Sequence, residues 1–190
     1  MRFVLNLLAM FAVALAVGFG LSYYALTDGR LFAAVQVGPW STWPQIGAPS
    51  PDPYTRAYLA RTGAMQLGQA EGLQFIAHTD SDGQPLERAC TYRLAGTTPV
   101  ASFWTLVAVS PQWVNIAPSG SAPALHSTRI ARENDGSAVI AVSPRLATGN
   151  WLETTGVGPF WLVLTLYDAT AFSGFGGTVS SLPAITREAC

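Results

Sequence analysis

Residues Phe3 to Leu26 read FVLNLLAMFAVALAVGFGLSYYAL, with Asn6 as the one strongly polar interruption. An α-helix rises about 1.5 Å per residue, so the run reaches about 36 Å, enough to cross a hydrocarbon core of about 30 Å. Tyr23 and Tyr24 fall where an aromatic belt would meet the far interface. The expectation is a single transmembrane helix over residues 1–27, with everything after Thr27 on one side of the lipid bilayer. Arg2 and the α-amino group lie on one side, and Asp28 and Arg30 on the other. The positive-inside rule then sets the N-terminus in the cytoplasm and the bulk of the chain on the periplasmic side of a bacterial inner membrane. A cleaved secretory signal is the rival reading, because Ala14-Leu15-Ala16 resembles a small-x-small cleavage site. Cutting there would leave VGFGLSYYAL as an apolar new N-terminus, which favours the uncleaved anchor.

Ala12, Ala16 and Gly20 recur at i, i+4 and i+8, and Ala14, Gly18 and Ser22 form a parallel row. Small residues at that spacing let helix backbones approach closely in lipid. They point to a second copy of the chain or another membrane protein as partner, although such residues are common in membrane helices in any case.

About 160 residues follow the anchor, enough for one domain with its own core. A net charge of −1 and a pI near 6.1 give no electrostatic case for nucleic acid or an anionic membrane surface. All ten basic residues are arginine. The lack of lysine excludes a Walker A loop, a Schiff-base lysine and a Ser-Lys dyad. The cysteines are Cys90 and Cys190. In an exported domain such a pair reads as a disulfide, which would also pin the tail.

Residues 28–50 contain a short β-like run, AAVQVG, and then a segment rich in proline and glycine. They read as an extended entry segment leading to a domain over residues 51–190. Trp40 and Trp43 fit edge packing best. Asp52 suits a helix N-cap, Pro53 the first helical position, and Gly63 a stop. Tyr54, Ala57, Tyr58 and Arg61 share the expected docking face. From Glu71 onward the pattern is β: GLQFIAHT, a turn at Asp80-Ser81-Asp82-Gly83, and a return through LERACTYRLAG. SFWTLVAVSP and PFWLVLTLYD read as buried strands. STRIARE and SAVIAVSP read as a hairpin around Asn134-Asp135-Gly136. Mainly β structure with one short α-helix suggests a β-sandwich.

DPYTRAYLARTG, CTYRL, FWTLVAVSP, DGSAVIAVSP, GNWLETTGVGPFWLVLTLYD and the final LPAI together resemble the domain of unknown function 1214 family. Gly149-Asn150-Trp151-Leu152 and Gly158-Pro159-Phe160 are the most specific segments, and the likeness covers roughly residues 38–185. It is the shorter type of member that the chain resembles, with one membrane segment before a single such domain. The resemblance implies a jelly-roll-like β-sandwich and no agreed activity. Many relatives carry Arg-Leu-Tyr where this chain has Thr165-Leu166-Tyr167, so no role of that arginine transfers.

Chemistry-bearing motifs are sparse. His78 and His126 show no metal-ligand spacing, and no metal or other cofactor is expected. Asp80-x-Asp82-Gly83 opens like a calcium loop, but Leu86 and Thr91 stand where oxygen ligands belong, so a turn explains it. No Gly-x-Ser-x-Gly elbow is present. Ser119-Gly120-Ser121 with His126 is the nearest approach to a nucleophile and base, and Gly174-Phe175-Gly176-Gly177 is followed by no helix that would make it a phosphate cradle. Phe103 and Trp104 must face opposite sides of one strand, as must Phe160 and Trp161. Outward Trp104 and Trp161, with Trp151 and Tyr167, are the candidate platform for a glycan or apolar ligand. Asn150 and Trp151 read first as a loop anchor. The leading expectation is a non-enzymatic accessory or binding domain tethered to the membrane. Glycan binding and envelope hydrolysis are the alternatives.

Overall fold

The computed structural model describes residues 2–28, 34–46, 48–63, 67, 71–97, 101–168 and 182–190. Its first element, α1 (Arg2–Asp28), is one continuous helix. The span Arg2–Tyr24 is long and apolar enough to cross a membrane, and none of it is buried against the rest of the chain. Both readings of the N-terminal run, anchor and signal, require such a helix.

Beyond α1 the chain is mainly β, arranged in two sheets. One has six strands in the order β1 (Val35–Val37), β2 (Trp40–Thr42), β3 (Gly72–Ala77), β9 (Trp161–Tyr167), β5 (Phe103–Val109) and β6 (Leu125–His126). The other has four, in the order β10 (Ala184–Ala189), β4 (Thr91–Gly96), β7 (Ala138–Ser143) and β8 (Asn150–Glu153). Every pairing is antiparallel except that of β7 with β8. Side chains of both sheets fill a single apolar core. Phe75, Trp104, Leu106, Leu162, Leu164 and Leu166 enter it from the larger sheet, and Tyr92, Leu94, Ile140, Val142, Leu152 and Ile185 from the smaller.

β9 lies between β3 and β5 and pairs with each along its length. Its central position explains the near-continuous apolar sequence WLVLTLY, because neither face is left to water. Where β3 starts, a Cβ on Gly72 would lie 2.0 Å from the Leu166 carbonyl oxygen. Only glycine fits that approach.

Helix α2 (Pro53–Thr62) forms as its signals dictate. Asp52 accepts hydrogen bonds from the backbone N–H groups of Tyr54 and Thr55 at 2.9 and 3.0 Å, and Gly63 closes the helix at φ 60°. Its docking face differs from the expected one. Thr55 is fully buried, and Tyr58 and Leu59 pack onto a second cluster of Trp43, Ile46 and Ile76 on the other face of the larger sheet. Arg61 stays exposed, its guanidinium carbon 5.7 Å from the ring centroid of Tyr23 at the end of α1.

Three local readings are corrected. The turn at Asp80 closes a short hairpin, in which Thr79 bridges Pro85 and Leu86 N–H donates to His78 O at 3.1 Å, but the return goes no further: β4 joins the other sheet, beside β10 and β7. The turn at Glu133–Ser137 closes through Glu133 N–H to Ser137 O at 2.9 Å, but the residues before it form no strand, and β7 pairs with β4 and β8 instead. Within residues 28–50, β1 and β2 extend the larger sheet, and Trp40, Trp43 and Ile46 are buried. That stretch therefore contributes to the folded body rather than serving only as a linker.

Cys90 and Cys190 stand at disulfide distance, S–S 2.10 Å, and fasten β10 to the start of β4. Cys190→Ser is expected to lower stability by up to about 4–5 kcal/mol on the chain-entropy account. Urea unfolding with and without reductant measures it, and the reductant should cost the variant nothing further. The α2 cap predicts a pH effect. Burial works to raise the Asp52 pKa, but its hydrogen bonds from Thr55 and Tyr54 outweigh that and hold it below the ordinary value of 3.8. The cap's contribution is complete above that value and is lost as pH falls through the lower folded one. Asp52→Ala should cost about 1 kcal/mol at neutral pH and remove that acid-range slope from the melting temperature.

Candidate functional site

Strand alternation distributes the four aromatic candidates over separate surfaces. Trp104 points into the shared core and is 2% exposed. Trp161 lies on the opposite face of the same sheet, half-buried, where His78 stacks on it at a centroid distance of 4.5 Å and Trp113 meets it edge-on at 5.6 Å. Tyr167 shares that face but sits at the far end of β9, about 20 Å away at 3.4 Å per residue. Trp151 belongs to the other sheet, with its indole N–H donating to the Ser143 carbonyl at 3.1 Å. The expected platform of Trp104 with Trp161 therefore does not assemble. Of each adjacent pair, Trp104 and Phe160 took the core positions and left Phe103 and Trp161 outside.

The outer face of the larger sheet brings together a different set. Phe103 stands directly across from Tyr167, with ring centroids 5.7 Å apart, and His126 approaches Phe103 at 5.8 Å. In the next row the register aligns His126 with Thr105, Thr105 with Thr165, and Thr165 with Gln74. Gln74 Oε1 is buried with no hydrogen-bond partner among the described residues. The strip is polar but uncharged along its middle, with aromatic rings at one border. Phe103, Thr105 and Gln74 were missed as members of one group because strand pairing, which sequence does not print, is what aligns them.

The nucleophile and base reading finds no geometry. The Ser121 hydroxyl donates to the Glu153 carboxylate, while His126 Nδ1 pairs with the Thr128 hydroxyl at 2.9 Å. Among the described residues no three His, Cys, Asp or Glu side chains gather as metal ligands. The glycine-rich segment at 174–177 lies outside the described residues. Asn150, the first residue of β8, bonds across the fold rather than to the local backbone expected of it: its amide exchanges two hydrogen bonds with the Ala131 backbone, at 2.7 and 2.8 Å, and donates a third to Val139 O.

The densest polar arrangement belongs to the C-terminal strand. Asp80, 2% exposed, accepts from the N–H groups of Asp82 and Gln84 at 3.1 and 2.8 Å. Arg187 Nε stands 3.2 Å from its other oxygen, an ionic contact rather than a directed hydrogen bond. The guanidinium carbon lies 5.5 Å from the Tyr92 ring centroid, and the group also donates to Pro85 O. Tyr92 is fully buried, and its hydroxyl accepts from Glu87 N–H at 2.7 Å. Burial raises its phenol above the ordinary value. These groups satisfy one another, so the arrangement is a structural clasp on β10.

A family model described as "Protein of unknown function (DUF1214)" matches residues 71–171. Among solved structures, the VPA0106 protein from Vibrio parahaemolyticus superposes with a TM-score of 0.60 at 18% identity, over 74% of this chain and 36% of its own. An uncharacterized protein from Burkholderia cenocepacia aligns at a TM-score of 0.46 and 16% identity, over 87% of this chain and 38% of its own. The chain thus spans little more than a third of the length of the solved structures it matches. At such identity the Vibrio protein shows a shared fold alone. No curated protein matches the chain.

Asp80→Asn is expected to destabilise the protein by up to about 3 kcal/mol, since it strands Arg187 beside buried groups. Pairing it with Arg187→Met in a double-mutant cycle of urea unfolding should give a loss smaller than the sum of the singles.

Proposed function

We propose that this chain, which belongs to the DUF1214 family, is a membrane-tethered accessory domain, non-enzymatic, held on the periplasmic side of a bacterial inner membrane. The observation that carries this reading is α1: an apolar span from Arg2 to Tyr24 that the body leaves unburied, Arg61 reaching it at Tyr23. A helix so exposed needs lipid or another apolar helix around it, because water would leave its whole circumference unburied. In this reading residues 1–27 form an uncleaved, single-pass anchor with a cytoplasmic N-terminus. Ala12, Ala16 and Gly20 face a second copy or a membrane-protein partner. The exported body is a jelly-roll-like β-sandwich; two sheets sharing one core support that description. The disulfide pair suits an exported body, since such bonds persist in oxidising compartments.

A second reading, binding of a neutral glycan, draws support from the outer strip of the larger sheet rather than from Trp104 and Trp161. Phe103 and Tyr167, both half-buried, offer rings, and Thr105, also half-buried, offers an uncharged hydroxyl beside them, whereas Thr165 and Gln74 Oε1 are buried. Hydrolysis of envelope material draws none from Ser121, whose hydroxyl is bound to Glu153.

The anchor is tested by carbonate extraction of native membranes with intact-mass analysis of the recovered chain. Retention in the pellet with the first 27 residues present is expected; a soluble chain shortened by sixteen or more residues would overturn it. For the strip, the full chain in detergent should show a rise in melting temperature with neutral oligosaccharides that Phe103→Ala abolishes and Trp104→Phe retains.

A further inference from the structure

The outward face of the four-stranded sheet carries a concavity of about 700 Å³ that none of the readings above uses. Its floor is made of unusually small side chains. Ala95 on β4 pairs with Ala184 on one side and Val139 on the other, and Gly96 follows it. Along the same strand, two positions back, Arg93 emerges exposed, and among the described residues its guanidinium has no ion-pair partner. The opposite wall is the turn before β7, which presents the exposed carboxylates of Glu133 and Asp135. Asp135 is positioned there by the Ser137 N–H, which donates to its carboxylate at 2.9 Å.

Charge of both signs therefore borders a shallow, small-residue floor. Arg93 aligns with Ala141, and Gly96 with Ala138, at the end of β7 where the acidic turn joins. Those rows lie three steps apart along the strand, about 10 Å at 3.4 Å per residue. An extended chain of three residues spans about the same length. Alanine and glycine on the floor leave open space above Ala95 and Gly96, room for the backbone and side chains of such a segment.

We infer that this groove binds a short peptide with free termini, its carboxylate on Arg93 and its ammonium on Glu133 and Asp135. A planar guanidinium accepts a carboxylate through two parallel N–H donors, which fixes the peptide's direction. Two carboxylates at the other end select against a blocked amine. Nothing in this assignment depends on the membrane tether or on the outer strip of the larger sheet.

The test uses the full chain in detergent and three probes: tri-alanine, its N-acetyl form and its C-terminal amide, each titrated calorimetrically. Tri-alanine should bind, and each blocked form should bind at least about tenfold more weakly. Arg93→Ala should lose the distinction between acid and amide while still preferring the free amine. Glu133→Gln with Asp135→Asn should lose the distinction between free and acetylated amine. Both variants alter exposed residues, and unchanged melting temperatures establish that they fold. No binding of tri-alanine to the unmodified chain, equal binding of all three probes, or unaltered selectivity in both variants would overturn the assignment. Binding of acetate as tightly as tri-alanine would also overturn it, by showing a simple anion site at Arg93.

Discussion

The pairing of β9 with β3 on one side and β5 on the other organises the molecule, because it sets which side chains of three long strands face inward together. Leu162, Leu164 and Leu166 enter the core in step with Leu73, Phe75 and Ala77 from β3, and with Trp104, Leu106 and Ala108 from β5. A slip of one residue in either ladder would turn all of these outward. The second sheet then closes over a surface already defined. β4 and β7 supply Tyr92, Leu94, Ile140 and Val142 to the same core, and β10 completes the edge.

That edge is secured by chemistry as well as by backbone pairing. β10 exchanges hydrogen bonds with β4, its Ile185 N–H donates to the Ser81 hydroxyl at 2.9 Å, and Ser81 N–H returns one to Ile185 O at 2.8 Å. Arg187 neutralises the buried carboxylate of Asp80, and Cys190 is fastened to Cys90. The Trp40 indole N–H reaches Pro183 O at 2.8 Å, so β2, one strand in from the edge of the larger sheet, is also tied to the approach to β10 in the other. Residues far apart in sequence are thus brought to the same seam, and the short hairpin at Asp80 serves that seam rather than a pairing of β3 with β4.

The two faces of the larger sheet have different work. The inner face is wholly apolar packing. The outer face is divided: near Trp161 it is covered by α2 and the cluster of Trp43, Tyr58 and Trp113, while near Tyr167 it carries half-buried rings beside the half-buried Thr105. The covered half leads to α1, since Arg61 of α2 rests on Tyr23. The half with polar groups, and the groove around Arg93 on the other sheet, are what the body offers to small molecules in the readings proposed here.

Features written in a few adjacent residues were legible before any coordinates. The apolar run of α1, the cap and stop of α2 at Asp52 and Gly63, and the buried character of β5 and β9 are all decided by neighbouring residues and by the periodicity of backbone geometry. The pairing of Cys90 with Cys190 was legible for a different reason: two cysteines admit a single partner choice. Which strand lies beside which was not legible. Asp80-Ser81-Asp82-Gly83 and Asn134-Asp135-Gly136 specify that the chain reverses, yet carry no information about which sheet receives the next strand. Phe103 and Trp104 were equally fit for the core, and only the contacts of the paired strands settled that the indole goes in and the phenyl stays out. Backbone turns and helix caps are short-range choices, whereas sheet order and the assembly of side chains into a site are set by burial summed over residues that meet only in the folded chain.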